Sequence, residues 1–440
     1  MAVVAEPSLR QLLASCFRFT FKTSQWQVKL RVLHENRVFR QIDSGLLAAV
    51  FLLTVCGLVA IFSATHSSES LLIKMNFKRQ LIWIVAGYIV MLTTIFIPNR
   101  FFYKYAFHVY VLTIAFLVLV LFIGTGSGTR RWLTVGPVWI QPVEFAKVGA
   151  VLALARFLSQ DNRKMDKLLD LGIAFGIAML PMLLVIKQPD LGSALVFMAL
   201  ILPILHWAGL PHIVLFVLVA PIISLACAFN YYSFLIAMIV ISLVLLLSRR
   251  GIMFFLTNFF INVGVGISTP ILWSVLKEYQ QQRILTFLGL VTDPQGLGYQ
   301  VIQSKVAIGS GGFMGKGFLH GTQTHLRFLP EQHTDFIFCV IGEEFGFIGS
   351  MVIIGLYLFL ILRCFGISAG ARTKFESLVV FGCAMILLFQ ITVNIGMTIG
   401  IMPVTGIPLP FLSYGGSSML TSFICVGLAL NATRKRFEYH

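Results

Sequence analysis

The sequence predicts an all-α polytopic membrane protein of about twelve transmembrane helices, and three observations carry that expectation. Of 440 residues, 58% are hydrophobic and only 11% are charged. The apolar residues form long unbroken stretches such as 46–64, 106–123 and 234–247, where a closed barrel would show short segments of alternating polarity. The basic residues collect on alternate connections between those stretches.

The elements follow in order. Residues 1–43 are polar and basic and lack a compact apolar core ahead of a small-residue site, so no cleavable signal is expected and this tail stays attached in the cytoplasm. Its Leu9, Leu12, Leu13, Arg10 and Arg18 fit a segment lying on anionic lipid or a disordered basic tail equally. Spans are expected at 44–64, 81–97, 106–123, 144–159, 169–187, 191–207, 212–229, 234–248, 252–276, 336–362, 377–401 and 412–432. With the N-terminus inside, the inner segments hold 21 of the 33 Lys and Arg residues, which places both termini in the cytoplasm. The chain thus divides into a cytoplasmic basic tail, 1–43, one membrane domain, 44–432, with a long extracytoplasmic loop at 277–335, and a short cytoplasmic tail, 433–440.

A formal net charge of +16 would suggest nucleic acid in a soluble protein; here the sidedness of the charges accounts for it, and no nucleic acid partner is expected. Most of the seven cysteines sit within apolar runs, without the spacing of a disulfide framework or zinc site. There is no internal repeat and no inverted pair of halves. The stretch Gly309-Ser310-Gly311-Gly312-Phe313-Met314-Gly315-Lys316-Gly317 lacks the phosphate-loop spacing, leaving a mobile loop or one whose amides meet an anion. His320, His325 and His333 have no metal-helix spacing.

Chemistry is expected at the outer ends of the spans, because ionisable groups beside a bilayer are tolerated where they pair, face a wet cavity or react. Four polar patches recur there: Arg130-Arg131-Trp132; Gln141 to Lys147; Lys187 to Gly192; and the loop holding Arg283, Lys305, Lys316, Glu331 and Asp335. Glu144 and Lys147 are three residues apart and share a helix face, as a structural ion pair or as site lining. Asp190 opens a span, as a cap or as a site residue. Asp335 precedes a span; an N-cap would explain it alone, but not the neighbouring Glu331 and basic loop, so function is the preferred reading. Glu343 and Glu344 fall some two turns inside that span, facing protein or water.

From about Asp43 to Arg436 these motifs resemble the SEDS (shape, elongation, division and sporulation) proteins of bacterial cell-wall synthesis. The resemblance runs through Arg131-Trp132, Gln141 to Glu144, Gln188 to Gly192, Asp293 to Gln300, Gln303-Ser304-Lys305 and Leu329 to Phe338. The run from Asn394 to Ser418 resembles the RodA-like elongation branch rather than the FtsW-like division branch. Family members mostly have ten spans, and about two more are expected here near 213–276; Val143 also stands where the family motif usually has Ser.

What the resemblance implies is a peptidoglycan glycosyltransferase that polymerises lipid II at the outer leaflet of the cytoplasmic membrane, with Asp335 as the essential aspartate. It places Arg79, Arg131, Trp132, Glu144, Lys147, Asp190 and Arg283 around a central cavity, and Lys305 and Glu331 in the matching loop. A class B penicillin-binding transpeptidase and the elongation machinery with its actin-like cytoskeleton are the implied partners. A divalent cation, magnesium or manganese, is the one cofactor left open, since no all-protein cage is visible. The rival functions are a transporter that flips lipid II and a non-catalytic scaffold of the elongation complex.

Overall fold

The computed structural model describes residues 43–66, 71–125, 131–136, 138–160, 167–248, 250–276, 280–282, 285, 297–325 and 332–434. The tail at 1–42 and residues 435–440 lie outside the described residues, as do the expectations placed on them. The remainder is helical apart from one small hairpin.

Among the described residues nine helices precede the long segment 277–336: α1 (Ser44–His66), α2 (Leu71–Phe96), α3 (Asn99–Ile123), α4 (Pro142–Leu158), α5 (Leu168–Lys187), α6 (Leu191–Trp207), α7 (His212–Cys227), α8 (Tyr231–Leu247) and α9 (Ile252–Val275). Within that segment lies α10 (Leu297–Gly311), and α11 (Ile337–Ala369), α12 (Lys374–Thr398) and α13 (Gly416–Arg434) complete the chain. Strands β1 (Leu133–Val135) and β2 (Val138–Ile140) form an antiparallel hairpin just before α4. Eight of the described helices are long and apolar enough to cross a bilayer. The apolar helices α4, α6, α7 and α8, of 16 or 17 residues, fall at four further expected spans. The chain is therefore a helical, multi-pass membrane protein.

Local chemistry sets the helix boundaries. Pro142 occupies the first turn of α4, where its missing N–H costs nothing. Asn230 caps α8 by accepting from Tyr232 N at 2.9 Å, which makes the short turn into that helix. Thr373 caps α12 by accepting from Glu376 N at 3.2 Å. Proline inside α5, α6, α7 and α9 is compatible with membrane helices, whose neighbours re-satisfy the freed carbonyls.

Burial identifies the centre. In α12 and α13, 72% and 78% of the apolar window is covered by protein, against 17–44% in the other long spans. From Pro142 to Leu158 nearly every α4 side chain is buried too. A helix covered by protein on all sides lies inside the bundle, and these three are the core against which the others pack. Helices α7, α8 and α9 instead pack chiefly on one another, through Ala220, Ile241 and Leu245, with a buried Ser224–Asn262 hydrogen bond of 2.8 Å.

Side-chain bridges show which helix ends lie together. At one end Arg363 reaches Asp43 at 3.0 Å, Asn99 reaches Glu376 at 2.5 Å, and Asn431 donates to Ile97 O at 2.7 Å. At the other end Gln332 reaches Ala64 O, Gln80 reaches Ser413 O, and Gln188 reaches Leu117 O. The start of α1 and the finish of α13 thus share one end, and Asp335 lies at the opposite one.

Two expectations about local structure change. Helix α2 begins ten residues before the expected 81, because Asn76, Lys78, Arg79 and Gln80 extend it beyond the apolar run. The glycine-rich stretch is no free loop: α10 continues through Gly311, and the following turn docks on α11. Gly346, at φ +64°, breaks α11, and the docked turn fills the gap. Lys316 N and Gly317 N donate to Glu343 O and Glu344 O at 3.0 Å each, while Phe347 N donates to Gly312 O at 2.9 Å.

Candidate active site

The loop between α12 and α13, residues 399–415, is where the expected patches meet. On one side stands Asp335, in a turn just before α11. The N-cap position of α11 belongs to Phe336, so the capping reading of Asp335 is not what the fold uses. A Cβ on Gly406 would come within 3.2 Å of Asp335 Oδ2, which puts the carboxylate directly against this loop. The turn is fixed through consecutive carbonyls: Tyr414 N donates to His333 O at 3.0 Å, Ser413 Oγ to Thr334 O at 2.5 Å, and Asn394 Nδ2 to Asp335 O at 2.9 Å.

On the loop's other face is the start of α6. A Cβ on Gly192 would lie 2.6 Å from Thr405 O and 3.2 Å from Ile407 Cγ1, so this helix end abuts the residues flanking Gly406. Asp190, 6% exposed, caps α6 by accepting from Ser193 N at 3.2 Å and Ser193 Oγ at 2.9 Å. It also faces Arg131 Nη1 at 3.9 Å and Gln141 Nε2 at 3.4 Å. Arg131 is fixed further by bonds to Gln188 O, at 3.3 Å, and Pro189 O. The capping and site readings of Asp190 are therefore compatible in one side chain.

Gln141 ties the third patch to the same place, its N–H donating to Ser417 Oγ at 3.0 Å at the head of α13. Inside α4, Lys147 Nζ donates to Glu144 Oε1 at 2.7 Å, and both residues are almost fully withdrawn from solvent. The second carboxylate oxygen, Glu144 Oε2, has no hydrogen-bond partner. A buried carboxylate oxygen in this state is costly, and the adjacent Lys147 ammonium offsets its charge.

The other expected residues are less closely joined. Trp132 is half-buried beside the hairpin, its ring 6.3 Å from that of Trp139. Arg79 is exposed on α2, next to the Gln80 that reaches Ser413. Lys305 is exposed on α10, its side chain lying across Gly400. Arg283 and Glu331 lie outside the described residues. The deeper acidic pair is buried and engaged with protein: Glu343 accepts from Lys316 Nζ at 2.8 Å and Gln323 N at 2.9 Å, and Glu344 accepts from Ser63. Among the described residues no three His, Cys, Asp or Glu side chains come together as a group that could hold a metal ion.

Sequence reasoning missed Asn394, Ser413 and Gln80, the side chains that hold this arrangement together. Their one signal is that each is polar within or beside an apolar segment, and Asn394, wholly buried in α12, is the clearest case.

Known proteins resemble the chain over most of its length. The sequence profile of the FtsW/RodA/SpoVE family, described as cell cycle protein, matches residues 44–238 and 219–438. The chain is 33% identical over 429 residues to the peptidoglycan glycosyltransferase RodA of Treponema pallidum, covering 90% of this chain and 98% of that one. It is 36% identical over 392 residues to the peptidoglycan glycosyltransferase MrdB of Escherichia coli K12, covering 89% and 93%. Relatives named FtsW match as well. A solved chain from a peptidoglycan synthase complex that coordinates polymerization and crosslinking superposes with a TM-score of 0.66 at 30% identity, over 90% of this chain and 99% of that one. On the strength of both the profile match and these full-length relatives, the chain belongs to the FtsW/RodA/SpoVE family.

Proposed function

We propose that this chain polymerises lipid II into glycan strands during cell elongation, with Asp335 as general base. Its relatives RodA and MrdB are named for the activity, and the chain is a peptidoglycan glycosyltransferase. The observation that carries the assignment of the site is that Asp335 and the start of α6, which Asp190 caps and Arg131 binds, lie on the two faces of one loop at one end of the bundle.

The chemistry needs a proton acceptor and a site for a departing anion. A sugar hydroxyl is too weak an acid to ionise unaided. Asp335 takes the proton of the acceptor's 4-hydroxyl as that oxygen bonds to the donor's anomeric carbon from the face opposite the leaving group. The bond from that carbon to the pyrophosphate oxygen breaks, its electron pair leaves with undecaprenyl pyrophosphate, and configuration inverts. Because the leaving group departs as an anion, it wants cations rather than a second carboxylic acid. Arg131, held at the start of α6 by Asp190 and the Gln188 and Pro189 carbonyls, is the first candidate, and Lys147, Arg283 and Arg79 are the further ones. Trp132, Glu144, Asp190, Lys305 and Glu331 complete the proposed substrate-binding set. Glu144 Oε2 is suited to accept a sugar or peptide hydrogen bond.

The proposed setting is the cytoplasmic membrane, with Asp335 outside and the start of α1 and finish of α13 inside. A crosslinking transpeptidase of the class B penicillin-binding type is the proposed partner, supported by the synthase complex to which the superposed chain belongs. The actin-like elongation machinery is proposed with it.

Purified protein in detergent, given lipid II with and without the transpeptidase, tests the assignment. Detergent leaves no two sides between which to flip a lipid, so polymer means transferase, whereas no polymer with active partner present favours the transporter. Asp335→Asn keeps the shape and removes the base, and should lower the rate by at least roughly 100-fold. Polymerisation by that variant at the wild-type rate would sink the role given to Asp335.

A further inference from the structure

We infer that Asn394 and Ser413 are positioning residues, which aim the Asp335 carboxylate by gripping the backbone of its turn. The inference rests on the reading of Asp335 as the base. Three consecutive carbonyls, those of His333, Thr334 and Asp335, are bonded by α12 and by the connection that follows it. They are met there by three different kinds of donor: a backbone N–H from Tyr414, a hydroxyl from Ser413 and a side-chain amide from Asn394.

Asn394 does more than satisfy one carbonyl. The same Nδ2 also donates to Ile407 O at 2.7 Å, one residue past the Gly406 that faces the Asp335 carboxylate. One buried side chain thus ties the backbone behind the carboxylate to the backbone in front of it. Ser413 works likewise: its Oγ donates to Thr334 O at 2.5 Å and accepts from Leu409 N at 2.8 Å, joining the turn to the far limb of the loop. Asp335 is held between these two ties and the bare α-carbon of Gly406.

The cost of this arrangement is visible. Asn394 is 0% exposed, and its Oδ1 is buried with no hydrogen-bond partner. Two carbonyls both need a donor, which fixes the amide orientation and leaves the acceptor idle. A buried orphan oxygen opposes stability, and the two bonds donated to the Asp335 and Ile407 carbonyls offset it; an apolar residue would remove the bonds along with the cost. The same two bonds set the direction of the carboxylate, and a displacement of about 1 Å at a reacting group is worth on the order of 100-fold in rate.

Kinetics on Asn394→Ala, Ser413→Ala, Asp335→Asn and the combinations with Asp335→Asn test this, using lipid II and the full chain in detergent with its transpeptidase. Each clamp variant should lower kcat on the order of 10- to 100-fold with KM near the wild-type value. In the Asp335→Asn background neither substitution should lower the residual rate further, because no base remains to aim. Loss of rate in that background equal to the loss in the wild type overturns the inference, as does a wild-type kcat in both clamp variants. Should Asn394→Ala fail to fold, Ser413→Ala carries the same two comparisons. Failure of the underlying reading is seen separately, as an active Asp335→Asn enzyme.

Discussion

Asp335 Oδ2 and the α-carbon of Gly406 face one another closely: a methyl group on Gly406 would stand 3.2 Å from the carboxylate oxygen, so that the carboxylate would have to give by a few tenths of an ångström. Gly406 also has φ +73°, where a β-carbon crowds the backbone. Gly406→Ala is expected to lower stability by about 1–2 kcal/mol and to push the carboxylate from its position. Polymerisation should then fall on the order of 10-fold or more while the melting temperature drops only a few degrees. A fully active Gly406→Ala enzyme would show that the carboxylate does not need this contact.

The Glu144–Lys147 pair offers a way to separate a structural from a functional role. Removing one partner strands a charge in the core, so Lys147→Met is expected to destabilise the protein by about 3–5 kcal/mol. The double variant Glu144→Gln, Lys147→Met strands nothing and should recover most of that stability. If the pair also lines the substrate site, the double variant will be folded and nearly inactive. Thermal melts and polymerisation measured on all three variants check this, and full activity in the double variant would reduce the pair to a structural one.

Asp190 combines a helix cap with a salt bridge, and two substitutions part them. Asn caps a helix about as well as Asp but cannot neutralise Arg131, whereas Ala does neither. Asp190→Ala should cost about 1–2 kcal/mol in stability and Asp190→Asn a few tenths, with activity reduced in both. Melting curves and polymerisation rates for both variants decide it: equal stability losses would mean that the capping bonds contribute little.

The sequence displays the helices plainly and the joints poorly, for a physical reason. Continuous apolar runs are the direct imprint of a bilayer, so the expected spans coincide with described helices from α1 to α13 apart from α10. Hydropathy reads long unbroken apolar runs, so the first turns of α2, interrupted by Lys74, Asn76, Lys78, Arg79 and Gln80, and the mixed sequence Gln300-Val301-Ile302-Gln303-Ser304-Lys305 of α10 do not read as spans. The candidate site was legible as patches, because charged residues at a membrane border are costly and therefore conspicuous. Asn394 and Ser413 are uncharged and local sequence gives no hint of partners 59 and 79 residues away. Long-range hydrogen bonds of that kind are properties of the fold.

The break in α11 shows what such a joint is worth. Gly346 sits at φ +64°, and a Cβ there would meet Phe313 O at 2.8 Å and Gly312 O at 2.9 Å, both backbone atoms with no means of yielding. Gly346→Ala must therefore either straighten α11 or expel the docked turn after α10. Expulsion loses the bonds from Lys316 N and Gly317 N to Glu343 O and Glu344 O. It also draws Lys316 away from Glu343, a carboxylate that is 0% exposed. Breaking a buried ion pair by removing one partner costs about 3–5 kcal/mol, and the strained φ adds about 1–2 kcal/mol. The variant is thus expected to melt well below the wild type and to be cut by protease within 312–323. Adding Glu343→Gln removes the stranded charge and should return part of the lost stability while leaving the turn open to cleavage. A Gly346→Ala protein with wild-type melting and a protected turn would mean that α11 closes its break without losing the docked segment.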